Sequence, residues 1–436
     1  MKDKILFSIK RIDYRLFFAL LVMGICPTIY TTLRTFYLGQ LPGDYAFSIA
    51  GQLTWVNLIY EIINEAIILP LYFFMGQAKN DKQEFTNRVK NGLIIALISY
   101  LILTIFICVF AEPLLNLMAT SKDIIKESIS YIRFESIANI FTILFSFNLV
   151  VLITIGKDRY VYLLTIIKLI FSVILDTFLI SSFNFSLNLG VNGIAISNII
   201  INAILFVVSI IILKNEQVKI FDKQSINFDW LKDFFKVGSI SGIESLVRNL
   251  FYLIMIVRMV NVVSEQGTYW VANNFIWGYL LLPIIQLGEI IKKDVASNSD
   301  NMNKNMYGYM FLTIIICLFW FILLPLYKPF MYYVLQFEEV DKLFHLVILL
   351  MIFYVSYAFQ NICDSIFYGL GKTQYMLFES IVTNVVYYGI CFILYLNKIF
   401  IPSLTGIALM FGIGILFDAI VSYLSYIYLK RKLNSI

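Results

Sequence analysis

The chain has 436 residues, 60% of them apolar and 17% aromatic, with only 14% charged and a formal net charge of +5. Soluble domains carry about 45–50% apolar and about 25% charged residues, and one core stops growing near ~250–300 residues, so this much apolar surface requires lipid as solvent. The small, dispersed positive charge excludes nucleic acid as a partner, which would need a basic patch interleaved with aromatic residues.

A transmembrane helix needs about 20 mainly apolar residues. Twelve segments qualify, at 15–38, 49–74, 91–111, 129–154, 160–182, 190–213, 238–262, 268–291, 307–327, 342–368, 376–396 and 404–428. The stretch Phe17 to Leu38 is too long for a signal-peptide core and no small-residue cleavage site follows it, so it reads as span one. Pro27, Pro70 and Pro283 interrupt spans one, two and eight. Proline frees a backbone carbonyl and bends a helix, which makes Pro27 the candidate hinge. The longest connection, Lys214–Lys236, reads as an amphipathic linker between a bundle at 1–213 and a bundle at 237–436. An even span count puts both termini on one side. That side carries 23 lysines and arginines in its loops against 6 on the other, or 7 with Arg133. The positive-inside rule places it in the cytoplasm of a multi-pass cell-membrane protein.

Cys26, Cys108, Cys317, Cys363 and Cys391 lie in apolar runs without a CxxC, which indicates neither a disulfide framework nor a zinc site. The lone His345 sits near the outer end of span ten, and one histidine makes no proton relay. There is no HExxH, no phosphate-binding glycine loop and no Ser/His/Asp set, so no enzyme is expected and no cofactor.

The two halves share short matches. Gly156-Lys157 with Tyr160 recurs as Gly371-Lys372 with Tyr375, Gly193-Ile194-Ala195 as Gly406-Ile407-Ala408, and Phe36-Tyr37-Leu38 as Phe251-Tyr252-Leu253, at offsets of 213 to 215. Both halves begin and end on the same side, so the repeats are parallel, an arrangement that places a cleft between halves in secondary transporters. The expected fold is all-α, with twelve transmembrane helices in two pseudo-symmetric six-helix bundles.

An ionised group at mid-membrane costs at least about 2.5–3.5 kcal/mol on insertion scales, so it faces protein or water. In span two, Asn57, Glu61 and Glu65 follow i, i+4, i+8 and share a face with Asn64 beside them. Glu61 and Glu65 can act as a carboxylate pair for a proton or cation, or one of them can pair with Arg34. Lys168 and Asp176 lie eight apart in span five. Lys168 is a counter-ion for Asp176, a substrate contact or a snorkelling cation. Asn198 and Asn202 in span six either hydrogen-bond between helices or line a cavity. Glu244 and Arg248 in span seven have the spacing of an internal ion pair. Arg34 and Arg248 stand 214 apart, at the repeat offset. Together they can line a substrate path and favour anionic or zwitterionic amphiphiles. Trp55 and Trp277 can line an amphiphile-binding cleft. Glu289, Asp364, Glu379 and Asp418 complete the intramembrane acids of the second half.

Several stretches resemble the multidrug and toxic compound extrusion (MATE) family, in the superfamily that also holds lipid-linked oligosaccharide flippases. They are LRTFYLGQLPGDYAFSIAG at 33–51, TSKDIIKESISYIRFESIANIF at 120–141, ILDTFLI with LGVNGIAIS between 174 and 197, and FYGLGKTQY at 367–375. The resemblance implies alternating access and export of a small amphipathic substrate against an inward flow of protons or sodium ions. It also implies coupling through buried carboxylates, by a monomer in the lipid bilayer. It points to Asp176 as the coupling acid, with a possible sodium ion there, to Asp364 as a second acid, and to Pro27 as a bend that moves during transport. Arg34 and Arg248 stand where the family places acids. The alternative is a flippase of the same superfamily, for which a strongly basic cavity is the distinguishing feature.

Overall fold

The computed structural model describes residues 7–41, 45–78, 80–218 and 228–434. Those residues form helices and no strand, as lipid demands of a chain whose backbone groups must be satisfied within each segment. Ten helices are single candidate spans, and two bent pairs bring the number to twelve if each pair is one span. In chain order the spanning helices are α1 (Tyr14–Gly39), α2 (Leu53–Gln77), α3 (Lys82–Val109), α4 (Ile125–Thr154), α5 (Asp158–Leu179) and α6 (Val191–Asn215). Next come α7 (Leu231–Val262), the bent pair α8 (Gln266–Leu280 and Leu282–Ser297) and the bent pair α9 (Met306–Ile322 and Leu324–Tyr333). The last three are α10 (Val340–Gly369), α11 (Gln374–Leu396) and α12 (Leu404–Asn434).

The twelve expected segments fall on these helices, and the differences lie at ends and bends. α3 begins nine residues ahead of its apolar run because Asp81 caps it. The Asp81 carboxylate accepts from the backbone N–H of Gln83 and Glu84 at 3.0 and 3.1 Å, which satisfies donors the helix itself leaves open. α8 bends by 50° where Pro283 stands in the first turn of its second segment, and α9 bends by 61° ahead of Pro325.

The chain forms two compact units, one of Phe36–Gly267 and one of Met1–Thr35 with Thr268–Ile436. The expected linker falls in the range of the first, and its residues 219–227 lie outside the described residues, as do Pro42, Gly43 and Asp44 of the 33–51 motif.

Within the unit of Phe36–Gly267, the core runs through Trp55, Leu71, Met75, Phe147 and Phe234, all nearly inaccessible. Helices in lipid gain little from hydrophobic association and depend on close approach and interhelical hydrogen bonds. Both are present. A Cβ on Gly238 of α7 would stand 2.2 Å from the Ala66 carbonyl oxygen of α2, and Asn148 of α4 donates to Ser209 of α6 at 2.8 Å. Arg88 of α3 donates to the Phe74 carbonyl at 2.6 Å and lies over the Trp230 ring.

Within the unit of Met1–Thr35 with Thr268–Ile436, the core gathers Ile12, Leu287, Ile291, Tyr309, Ile366 and Phe367. The segment at 7–12 is anchored on α9, where the Gly308 N–H donates to the buried Ser8 hydroxyl at 2.7 Å. A Cβ on Gly308 would stand 2.6 Å from that hydroxyl.

Candidate functional site

The first polar constellation belongs to α2 and α7. Asn57, Glu61 and Asn64 are all exposed on α2, at i, i+4 and i+7, and Glu65 beside them is half-buried. Lipid cannot solvate such a stripe, so this face must meet protein or water. Arg248 of α7 donates from Nη2 to Glu65 Oε1 at 2.6 Å, while its contact with Glu244 on its own helix is longer, at 3.9 Å. Glu65 therefore takes Arg248 as a partner, and the within-helix pair expected of Glu244 and Arg248 is the longer of the two contacts. Three carboxylates, Glu61, Glu65 and Glu244, surround one guanidinium.

The second constellation lies on α4, α5 and α6. Asp176 is fully buried, as is Ser172 one turn earlier on α5. Asn198 donates to Glu135 Oε1 of α4 at 2.8 Å, and Asn202 donates to the Asn198 carbonyl at 2.8 Å. The Asn202 Oδ1 is buried without a hydrogen-bond partner. Asn198 thus bonds between helices while Asn202 bonds within its own, with an unused acceptor left over. Lys168 lies over the Phe145 ring at 5.9 Å, a cation–π contact. Glu135, only 4% exposed inside a span, is an acid whose importance the sequence reading passed over. Its one signal was a carboxylate in an apolar helix. Among the described residues no group of three or more His, Cys, Asp or Glu side chains is placed to hold a metal ion.

The third constellation is a cavity of about 280 Å³ lined by α1 and α8. Pro27, Thr28, Thr31, Thr32 and Thr35 form one wall, and Asn274, Phe275, Trp277 and Tyr279 the other. The threonine hydroxyls of Thr28, Thr31, Thr32 and Thr35 each donate to the carbonyl one turn earlier, bonding that bends helices. Thr28 reaches the Gly278 carbonyl at 3.2 Å, and Thr32 and Tyr279 share a hydroxyl–hydroxyl bond. The second wall includes a π turn at Ile276–Leu280, a geometry common at functional sites. Among the described residues, no charged side chain lines the cavity. Pro27 and Trp277 thus meet in one place. Trp55 instead sits in the packed core of the other unit at 1% exposure. Arg34 lies over the Tyr30 ring at 5.2 Å, and Arg34 and Arg248 belong to different units.

Asp364 of α10 accepts from Ser422 of α12 at 2.8 Å. Glu289 is exposed and bonded to Lys292 at 2.7 Å, a surface pair.

Residues 19–179 match the MatE family model. A comparison with curated proteins finds no match. Among solved structures, the chain is similar to an inward-facing multidrug resistance MATE family transporter of the MOP superfamily. The identity is 18%, 94% of this chain and 95% of that one are covered, and the TM-score is 0.76. It is also similar to a single-residue mutant of the Vibrio cholerae MATE transporter VcmN, at 15% identity, 97% and 96% coverage and a TM-score of 0.66. A third, a MATE protein in complex with MaD3S, gives 18%, 97% and 96%, and 0.66. The fold is that of the MATE transporters, across nearly the whole chain.

Proposed function

We propose that this chain is a MATE exporter, a secondary antiporter that moves amphipathic small molecules across the cell membrane in exchange for protons or sodium ions. Both termini lie in the cytoplasm, and the protein works by alternating access as a monomer in the bilayer, with a six-plus-six repeat as its ancestry. The observation that carries this reading is the exposed stripe Asn57–Glu61–Asn64 with the Glu65–Arg248–Glu244 cluster behind it. Such groups persist in a spanning helix only where they meet protein or water, and a wet acidic face is what a cation-exchanging carrier needs.

The charge balance supports an exporter of cationic or neutral amphiphiles. Arg248 is offset by Glu65 and Glu244, and the cavity at α1 and α8 offers hydroxyls and aromatic faces with no charge. A flippase for an anionic lipid-linked precursor would show basic residues in these places. Asp176 is the acid assigned to coupling on this side of the protein, with Glu61 and Glu65 exchanging protons with the wet face and Asp364 serving in the other unit. Trp277 and the threonine wall hold substrate, and Pro27 is the hinge.

The test is flux in proteoliposomes under separately imposed pH and sodium gradients. Ion-driven accumulation of an organic cation, lost in Asp176→Asn, is the expected result. Accumulation that ignores both gradients would overturn the antiport reading.

A further inference from the structure

Three carboxyls meet within the unit of Met1–Thr35 with Thr268–Ile436, and two of them accept from neutral donors. Asp418 of α12 accepts from Gln360 Nε2 of α10 at 2.7 Å and from Thr383 Oγ1 of α11 at 2.6 Å. Asp364 of α10 accepts from Ser422 Oγ at 2.8 Å. Glu379 of α11 lies within hydrogen-bonding reach of Asp364.

The cluster is short of hydrogens. Glu379 is 3% exposed and its Oε1 has no partner, and Gln360, held on Asp418 through its amide nitrogen, has an unpartnered buried Oε1. Two ionised carboxylates offer only lone pairs, so the Glu379–Asp364 contact becomes a hydrogen bond only when one of them carries a proton. Among the described residues, no lysine, arginine or histidine is among the groups acting on Asp364 or Glu379. The other titratable groups in range are Tyr357, near Asp364 and Asp418, and Cys363, near Asp364 and Glu379. Unpaired charge in a low-dielectric interior is costly enough that the missing positive charge must be supplied. A proton shared between two carboxyls supplies that charge and the missing hydrogen together.

The backbone supports a built site. α11 leaves regular geometry at the π turn Val382–Tyr388, and this turn carries Thr383 onto Asp418. Asp364 and Glu379 each stand five residues from the α10–α11 connection, or about 7.5 Å of helix, a short path for a proton from that face. Asp364 and Asp418 are half-buried while Glu379 is buried behind them.

We propose that Asp364, Glu379 and Asp418, held by Gln360, Thr383 and Ser422, form one proton-sharing site, with Glu379 as the buried store and Asp364 as its exchange partner. In the transfer, the O–H bond at Asp364 breaks as one forms at Glu379, so charge within the pair is conserved. Asp418, fixed by two donors, orients Gln360 and Thr383. This inference rests on the antiport reading and names the proton, with Glu379, Asp418 and Gln360 as residues of its site.

The experiment uses the full chain in proteoliposomes with ethidium as the fluorescent cationic probe, under a one-unit pH gradient or a matching sodium gradient. A pH unit supplies about tenfold accumulation per exchanged proton. The wild type is expected to approach that factor, Glu379→Gln to fall to equilibration, and Glu379→Asp to recover part of it. In parallel, pH-dependent infrared spectra should show a protonated-carboxyl carbonyl band in the wild type that is missing from Glu379→Gln at an unchanged melting temperature. Full pH-driven accumulation in Glu379→Gln, or an unchanged carboxyl band, would overturn the proposal. So would sodium-driven accumulation that is equal in the two proteins and insensitive to pH. If neither gradient moves ethidium in the wild type, the antiport reading fails, while the infrared band still decides whether Glu379 holds a proton.

Discussion

The Arg248–Glu65 contact is the clearest energetic statement in the unit of Phe36–Gly267, and a double-mutant cycle measures it. The pair is short, at 2.6 Å, with the arginine side chain 43% and the glutamate 21% exposed. Two unit charges at 4 Å interact by about 4 kcal/mol at an effective dielectric of 20, whereas fully exposed pairs are worth only about 0.2–1 kcal/mol. With the guanidinium more than a third exposed, solvent screening brings the expected coupling to about 1–2 kcal/mol. Arg248→Ala should cost more than Glu65→Gln, because it leaves Glu61, Glu65 and Glu244 repelling one another across α2 and α7. The double variant should be less damaged than the two single losses predict. Denaturant titration in mixed micelles, followed by tryptophan fluorescence, provides the four stabilities. Additive losses, within about 0.3 kcal/mol, would refute the claim that this ion pair ties α7 to α2.

The helix contact itself is tested by Gly238→Ala, whose new methyl would meet the Ala66 carbonyl oxygen at 2.2 Å. A loss of about 1–3 kcal/mol is expected from the forced shift, read as a lower melting temperature, and a neutral outcome would contradict the close approach. Asp176→Asn should abolish ion-driven accumulation while the protein stays folded, since asparagine keeps the shape of this fully buried side chain, and a full retention of coupling would remove Asp176 from the mechanism. Trp277→Ala and Tyr279→Phe, on the wall of the α1–α8 cavity, should weaken binding of aromatic amphiphiles, the first by about two- to tenfold given the stacking energy at stake. Equal affinities for all three proteins in a fluorescence titration would show that the cavity is not a binding site.

One pH effect follows from the loop after α6. The hydrogen bond from Lys157 to Glu216, at 2.7 Å, holds the Glu216 carboxyl below its ordinary value of 4.5. A depressed folded value means that the tether contributes fully above that ordinary value and is lost as pH falls through the folded one. Protection of the amides near residues 155–157 and 214–217, measured against their intrinsic exchange rates, should therefore fall as pH drops below 4.5. In Glu216→Gln that fall should be absent, and a persisting one would assign the effect to another group.

Composition and periodicity were enough to determine that this chain lives in lipid, that it crosses about twelve times, and where most of its helices lie. Runs of some 20 apolar residues have one stable solution in a bilayer, so a local property settles the architecture. The same rule singled out the intramembrane charges as candidates, because an ionisable group in such a run must face protein or water. Local spacing could not say which charges meet. Glu244 and Arg248 have the spacing of a pair, yet the shorter contact joins Arg248 to Glu65, 183 positions away, because α7 packs on α2 through Gly238. Glu379, Asp418 and Gln360 come from three helices, and only their packing, with the π turn that delivers Thr383, turns scattered acids into a cluster. Pro27 and Trp277 were singled out separately, and the fold makes them neighbours on one cavity, while Trp55, equally aromatic in the sequence, is committed to the core. Helices are written by neighbours along the chain, whereas a site is written by side chains that only helix-to-helix contact brings together.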